Sequence, residues 1–160
     1  MALGISSARR FSFTSRPIPV PGDLRINWRL AVILLMLGSS RSNKASLAKL
    51  HLLNDAVRST QSLDRLKSIL SESSGLLGWH MRVEPAFGRA IDFAVGEKLA
   101  EWTRTAQRSG LQLTKQGISA AATIAKIDGV LTGEKEFFSG VAKQISEDFV
   151  TKVLRGERRR

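Results

Sequence analysis

The sequence predicts a mainly helical fold with one small β-hairpin. Apolar residues recur at helical spacing through most of the chain, whereas Leu99–Thr103 and Leu111–Leu113 look like two short strands joined by a polar turn. The 160 residues are 42% hydrophobic, which is enough to bury one core. We expect an extended or flexible leader at residues 1–22, a single domain at residues 23–154 and a basic tail at residues 155–160.

Most elements of this domain are predicted from apolar spacing and capping residues. Asp23 caps the first helix, Ser62 caps the third, and Pro85 suits a first helical turn. The predicted helices are Leu24–Leu37, Ala45–Arg58, one that begins at Ser62 and ends before Gly75, Ala86–Val95, Lys115–Ile127 and Gly133–Arg155. A short strand is expected at Trp79–Val83, and the hairpin tip at Gln107–Gly110.

The last helix is predicted to be long, because one apolar row continues through it at i+4 steps: Phe137, Val141, Ile145 and Phe149. Two interpretations of this row are open. The helix packs back on Leu30–Leu37 and completes the core, or its far end docks on a partner chain. The second interpretation makes four residues a candidate partner interface, namely Phe149, Val150, Val153 and Leu154.

The N-terminal leader is rich in Arg and Ser and contains three spaced prolines, Pro17, Pro19 and Pro21, which favour an extended segment. A flexible leader, a short clamp strand and a targeting peptide all fit this composition. The longest apolar run, Leu30–Leu37, has eight residues, whereas a membrane span needs about 20. We therefore expect no membrane contact and a cytoplasmic location.

Residues for known catalytic chemistry are scarce. The absence of Cys excludes disulfides, thiolate zinc sites and a Cys nucleophile, and the two histidines, His51 and His80, are far apart in sequence. Dinucleotide-binding, phosphate-loop, serine-hydrolase and zinc-protease motifs are all missing. The sequence thus predicts no catalytic residue, no metal and no cofactor, and we expect that the protein is not an enzyme.

The net charge of +11 points to a polyanion or an acidic partner surface. The excess lies in the first 60 residues and the last 60, whereas residues 61–100 are balanced. The terminal run Arg158–Arg160 fits a solvated tail or an arm that binds nucleic acid.

The order of elements is that of a winged helix with a long C-terminal helix. Helices are followed by a hairpin, and Leu113–Gly117 then opens the next helix with Thr114 as its cap. Ala86–Val95 would be the recognition helix, yet it offers one cation, Arg89, next to Asp92. DNA binding and protein docking therefore both remain open. The candidate nucleic-acid contacts are Arg41, Lys44, Lys49, Arg89, Arg104 and Arg108.

Several stretches within residues 24–154 resemble a known family. They are Ile26–Leu30, Leu47–Ser59, Arg82–Pro85, Leu113–Gly117, Glu134–Phe138, Ile145–Glu147 and Phe149–Val150. Together they are similar to the small middle component of three-component ABC-ATPase systems, which include the Lamassu-type SMC antiphage complexes of bacteria.

The resemblance implies a non-catalytic subunit of a bacterial antiviral defence complex. Its partners would be an SMC-like ATPase and an effector, often a nuclease, and it would help couple sensing of duplex DNA to that effector. The alternative function is a free-standing winged-helix DNA-binding transcriptional regulator that dimerises through its C-terminal helix.

Overall fold

The computed structural model describes residues 22–71 and 83–155. The elements are α1 (Gly22–Gly38), a 3-10 helix (Arg41–Asn43), β1 (Lys44–Ser46), α2 (Leu47–Arg58), α3 (Thr60–Leu70), α4 (Pro85–Gly96), β2 (Ala100–Thr105), β3 (Arg108–Leu113), α5 (Lys115–Lys126), α6 (Thr132–Ser139), a second 3-10 helix (Val141–Gln144) and α7 (Glu147–Arg155). The predicted mainly helical fold with a small hairpin is confirmed. The predictions for residues 1–21, for 79–82 and for the tail from residue 156 lie outside the described residues.

The core is built around α1. Its residues Val32–Leu37 are all buried, because helices contact more than one side of α1, notably α4 and α5. The indole Nε1 of Trp28 donates a hydrogen bond to Glu134 Oε1 at 3.0 Å, which ties α1 to α6. A continuous apolar run is what a helix surrounded by other elements requires. Each helix of the described residues is too short or too polar to cross a lipid bilayer.

Several polar side chains cap helices by accepting a hydrogen bond from a backbone N–H. Thr114 Oγ1 accepts from Gly117 N at 3.1 Å, as the sequence predicted for α5. The cap of α3 is Ser59 and not Ser62, since Ser59 Oγ accepts from Ser62 N. Ser46 caps α2, so this helix begins two residues later than predicted.

The reason for that later start is a third strand. β1 pairs with β3 and β3 pairs with β2, both antiparallel, in the sheet order β1-β3-β2. Ala45 faces Leu111 in this register, and both are fully buried. Three residues are too few to show strand alternation, so Ala45 and Ser46 were predicted as the start of a helix.

The hairpin turn is tighter than predicted. Ala106 and Gln107 form it with φ of 50° and 61°, the left-handed pair that suits a two-residue hairpin. The predicted tip at Gln107–Gly110 is therefore wrong, because residues 108–110 belong to β3. Gly110 is needed for close approach rather than for a turn, since a Cβ there would lie 2.4 Å from the carbonyl oxygen of Ala45.

The predicted C-terminal helix, Gly133–Arg155, is also wrong. The helix stops at Gly140, whose φ of −99° and ψ of −90° are not helical, and it restarts as α7. Ser146 Oγ accepts from Phe149 N at 3.1 Å and so caps the new helix. The long i+4 row is thus split over three short helices, although Phe137 and Ile145 still reach the core. α7 packs against α2, whereas α6 contacts α1.

Candidate nucleic-acid interface

A concave region of about 650 Å³ lies between the first 3-10 helix, β1, the end of β2 and the start of α7. We call it the basic groove. Four of its lining side chains are cations, and one is a carboxylate: Arg41, Lys44, Lys49, Lys143 and Glu147. The groove therefore concentrates positive charge where a polyanion could enter.

The backbone explains why these cations meet. Ser42 and Asn43 both have positive φ, 59° and 52°, so the chain turns sharply between α1 and β1. The turn places Arg41 and Lys44 on the same groove, and Ser40 Oγ anchors it by donating to Met36 O at 2.8 Å. Lys143 comes from the second 3-10 helix, which exists because α6 ends at Gly140.

Lys49 is unusual among these cations because it is only 7% exposed. Burial lowers its pKa, and the charge of Glu147 opposes that shift in part. Within residues 22–71 and 83–155, its ammonium forms no ion pair, unlike Arg29 and Arg58, which pair with Glu84. The groove thus holds a largely buried cation that feels the charge of Glu147 but forms no ion pair in the described part of the chain.

The nearest acid, Glu147, is engaged elsewhere. Its Oε1 accepts from Ser46 N at 2.9 Å, and its Oε2 accepts from Ser46 Oγ at 2.6 Å. Ser46 Oγ in turn accepts from Lys49 N at 3.1 Å. Glu147 thereby attaches the start of α7 to the junction of β1 and α2 and forms one wall of the groove.

The hairpin strands β2 and β3 add two polar groups next to the groove. Thr105 lines it, and Thr105 pairs with Arg108 across the hairpin, so both side chains share one face of the sheet. Lys44 lies on that face too, since it pairs with Gln112, which alternates with Arg108. Thr105 Oγ1 and Arg108 Nη1 are buried without a hydrogen-bond partner in the described residues.

The six predicted contacts thus divide into groups. Arg41, Lys44 and Lys49 line the groove, and Arg108 lies on the same face of the sheet. Arg104 is exposed but alternates to the other face of β2, and Arg89 is exposed on α4 outside the groove. The sequence analysis missed Lys143 as a groove residue, because it placed Lys143 in a continuous helix. The signal that it passed over was the helix stop at Ser139–Gly140.

The exposed side of α4 carries little positive charge. Arg89, Asp92 and Phe93 are exposed, whereas Phe87 and Ile91 face the core. Phe93 is 43% exposed, and Trp102 on the neighbouring β2 is 53% exposed. One cation next to one acid is a poor set of donors for reading base edges.

The start of α4 is fixed by Glu84. Its carboxylate accepts from Arg29 Nη2 and, at 2.8 Å, from Arg58 Nη1, while Asn54 Nδ2 donates at 3.4 Å. Burial alone would raise the pKa of Glu84, but the hydrogen bonds and charges of these donors together hold it below its usual value. This cluster joins α1, α2 and α4.

The predicted partner interface is largely internal. Val150 and Val153 are buried in the core, so they are not available to a partner, and Phe149 is half-buried against the same core. Leu154 is 40% exposed and remains on the surface. The interpretation in which the C-terminal segment completes the core therefore fits these valines, with α6 in contact with α1 and α7 in contact with α2.

A second concave region, apolar in character, has a volume of about 600 Å³ between the end of α1, α5 and α6. Ile118 and Ile127, which line it, are exposed. The described residues contain no group of three or more His, Asp or Glu side chains that could hold a metal ion.

No family model, no curated protein and no solved structure matches the chain.

Proposed function

We propose that the chain is a non-catalytic winged-helix subunit that binds duplex DNA without sequence preference. The element order supports the winged helix, because α1, β1, α2, α4 and the β2–β3 hairpin follow one another as in that fold. The third strand closes the sheet in the order β1-β3-β2. In this arrangement α3 is an addition between α2 and the helix that would lie in the groove of DNA.

The observation that carries the proposal is the basic groove. Four cations face one carboxylate there, and Arg108 extends the same face toward the wing. Contacts between cations and phosphates supply sequence-independent affinity. The exposed side of α4 adds one cation and one acid, so it supplies little base recognition.

For the biological setting, we propose a subunit of a bacterial SMC/ABC-ATPase antiviral defence complex, which acts in the cytoplasm between the ATPase, DNA and an effector such as a nuclease. The resemblance of residues 24–154 to the middle component of such systems supports it. The exposed Ile118 and Ile127 in the apolar region support a protein partner, since exposed apolar surface commonly marks an interface.

DNA binding is tested by fluorescence anisotropy with two 20-base-pair duplexes of unrelated sequence. The variant R41E/K44E/R104E/R108E should lose about 10-fold or more in affinity for both duplexes alike. The wild-type affinity should fall steeply with salt, as about four to six phosphate contacts require. The variant K126E is the control and should stay within about 2-fold of wild type, because Lys126 is exposed at the end of α5 and lies outside the groove.

Two results would contradict this proposal. If the fourfold variant binds as well as wild type, the groove and the wing do not contact DNA. If the protein binds one sequence tightly with a shallow salt dependence, the free-standing regulator is the better function. The partner proposal fails if no SMC-like ATPase is encoded beside this chain, or if such an ATPase does not co-purify with it. If the apolar region is the contact, I118E/I127E should abolish co-purification.

A further inference from the structure

Most lysine side chains on a protein surface are exposed along much of their length, but that of Lys49 is not. It is 7% exposed, and among the described residues no carboxylate forms an ion pair with it. Burying an unpaired charge is costly, and three further cations line the same groove. The folded chain therefore keeps an unfavourable cluster of positive charge, which a bound anion would relieve.

A second group in the groove also lacks a partner. Thr105 Oγ1 is buried and makes no hydrogen bond within residues 22–71 and 83–155. It comes from β2, whereas Lys49 comes from α2, so the two groups approach the groove from independent elements. A hydroxyl donor and an ammonium donor together suit a ligand with several acceptor oxygens.

Charge and space indicate which anion fits. Four cations against one carboxylate leave a surplus of three positive charges, more than one carboxylate ligand would neutralise. A phosphate group offers three or four oxygens and up to two negative charges. The volume of about 650 Å³ leaves room for the sugar or base that is attached to such a group.

We propose that the basic groove is a discrete phosphate site, in which the Lys49 ammonium binds one phosphate group and Thr105 Oγ1 donates to the same group once its side chain turns into the groove. The source of the phosphate is the backbone of duplex DNA or a free phosphate compound, which share this chemistry. Only the DNA source rests on the function proposed above. The site differs from a diffuse basic surface because one buried cation accounts for a large part of the binding.

The test uses the full chain and the variant Lys49→Met, with Lys126→Met as matched control, since Lys126 is exposed on α5 and outside the groove. Inorganic phosphate is the first probe, measured as a rise in the thermal midpoint against sodium chloride of equal ionic strength. Wild type and Lys126→Met should be protected, and Lys49→Met should not. A 20-base-pair duplex is the second probe, measured by fluorescence anisotropy.

For a DNA phosphate, Lys49→Met should lower duplex affinity about 10-fold and reduce the salt slope by about one, while Lys126→Met changes the affinity about 2-fold at most. Loss of phosphate protection with unchanged duplex affinity also supports the site and assigns it to a free phosphate compound. Unchanged behaviour with both probes overturns the site. In that case the fourfold variant R41E/K44E/R104E/R108E still decides the proposed function separately.

The variant Thr105→Val keeps the test independent of any folding defect in Lys49→Met. It removes the hydroxyl at nearly constant volume, so the chain should fold with an unchanged circular dichroism spectrum. Phosphate protection should decrease in this variant, and a protection equal to wild type in it would overturn the role of Thr105. The removal of a buried charge should itself leave Lys49→Met at least as stable as wild type.

Discussion

Glu84 lies at the start of α4 and Glu147 at the start of α7, and each carboxylate attaches its helix to α2. They differ in whether their hydrogen-bond donors are charged. Glu84 accepts from two guanidinium groups, those of Arg29 and Arg58. Glu147 accepts only from the backbone N–H and the hydroxyl of Ser46, which are neutral donors. Both arginines near the start of α4 are therefore paired with a carboxylate, whereas the cations of the basic groove form no ion pair within residues 22–71 and 83–155.

This difference separates a structural cluster from a candidate binding surface. Arginines that are paired with a carboxylate fix the position of a helix but have little attraction left for an external anion. Cations whose nearest carboxylate is occupied by neutral donors keep that attraction. We therefore expect the cluster at the start of α4 to stabilise the fold and the basic groove to bind an anion, although both are rich in basic residues.

The largest expected effect is on stability, in Glu84→Gln. The amide cannot accept from all three donors and turns its own N–H groups toward a guanidinium, so the free energy of unfolding should fall by about 2–3 kcal/mol. Urea unfolding measures this. The control is Asp148→Asn, which breaks the exposed i,i+4 pair with Lys152 and should cost about 0.3 kcal/mol. Equal losses in both variants would show that the Glu84 cluster is not structural.

The same variant has a pH signature. The pKa of Glu84 is lowered in the folded state, so its stabilisation is present above the ordinary pKa of about 4.3 and disappears as the pH falls through the lower folded-state value. Wild type should lose more stability than Glu84→Gln between about pH 5 and pH 2. The duplex affinity of Glu84→Gln at neutral pH should stay within about 2-fold of wild type, because the Glu84 cluster lies outside the basic groove.

The next largest effects on stability are expected from two glycine substitutions, one on β3 beside the basic groove and one on α4. Gly110→Ala would place a Cβ 2.4 Å from the carbonyl oxygen of Ala45, which forces β1 away from β3 and should cost about 1–3 kcal/mol. It should also weaken DNA binding, since β1 carries Lys44. Gly88→Ala on α4 meets no atom within 4 Å and should gain about 0.5–1 kcal/mol with unchanged affinity. If Gly110→Ala is as stable as wild type and binds DNA with the same affinity, the groove does not depend on close pairing of β1 with β3.

How far the sequence predicted these regions depends on how local the signals are. The start of α5 was predicted correctly because Thr114 is a cap and Gly117 lies three residues later. The Gly117 position also excludes a side chain, since a Cβ would lie 1.9 Å from Leu99 O. All of these contacts are set within about 20 residues of chain.

The C-terminal segment shows the opposite case. The apolar row keeps its i+4 spacing across two helix breaks, through Phe137, Val141, Ile145 and Phe149. The prediction followed this spacing and passed over two local signals, the helix stop at Gly140 and the cap at Ser146. The burial of Lys49 could not be predicted at all. It depends on the packing of α7 and on a strand, β1, that forms only when β3 is beside it.

A smaller effect is expected on binding, in Glu147→Gln. Removing the negative charge beside Lys49 should raise duplex affinity about 3-fold at low salt, and the gain should shrink as salt screens it. The loss of one acceptor for Ser46 should cost about 1 kcal/mol of stability. Glu84→Gln is the matched control, because it removes a carboxylate of the same size outside the groove. A similar change in affinity for both variants would contradict the distinction between the two carboxylates.

The smallest expected effect concerns His51, on the same helix, α2, that contributes Asn54 to the Glu84 cluster and Lys49 to the basic groove. Its ring lies edge-on to Phe87 of α4, with the ring centroids 5.2 Å apart, and its Nδ1 is buried without a hydrogen-bond partner in the described residues. Burial lowers the pKa of His51, so the folded state favours the neutral ring. As the pH falls through about 6.5, the unfolded chain binds a proton that the folded chain does not, and stability falls.

The urea midpoint should therefore drop more between pH 7.5 and pH 5.5 in wild type than in His51→Gln, with His80 present in both proteins. Because the ring contacts α4 and lies outside the groove lining, the substitution should leave duplex affinity at pH 7.5 unchanged. Equal pH slopes in the two proteins would mean that the ring is protonated as readily in the folded chain as in water.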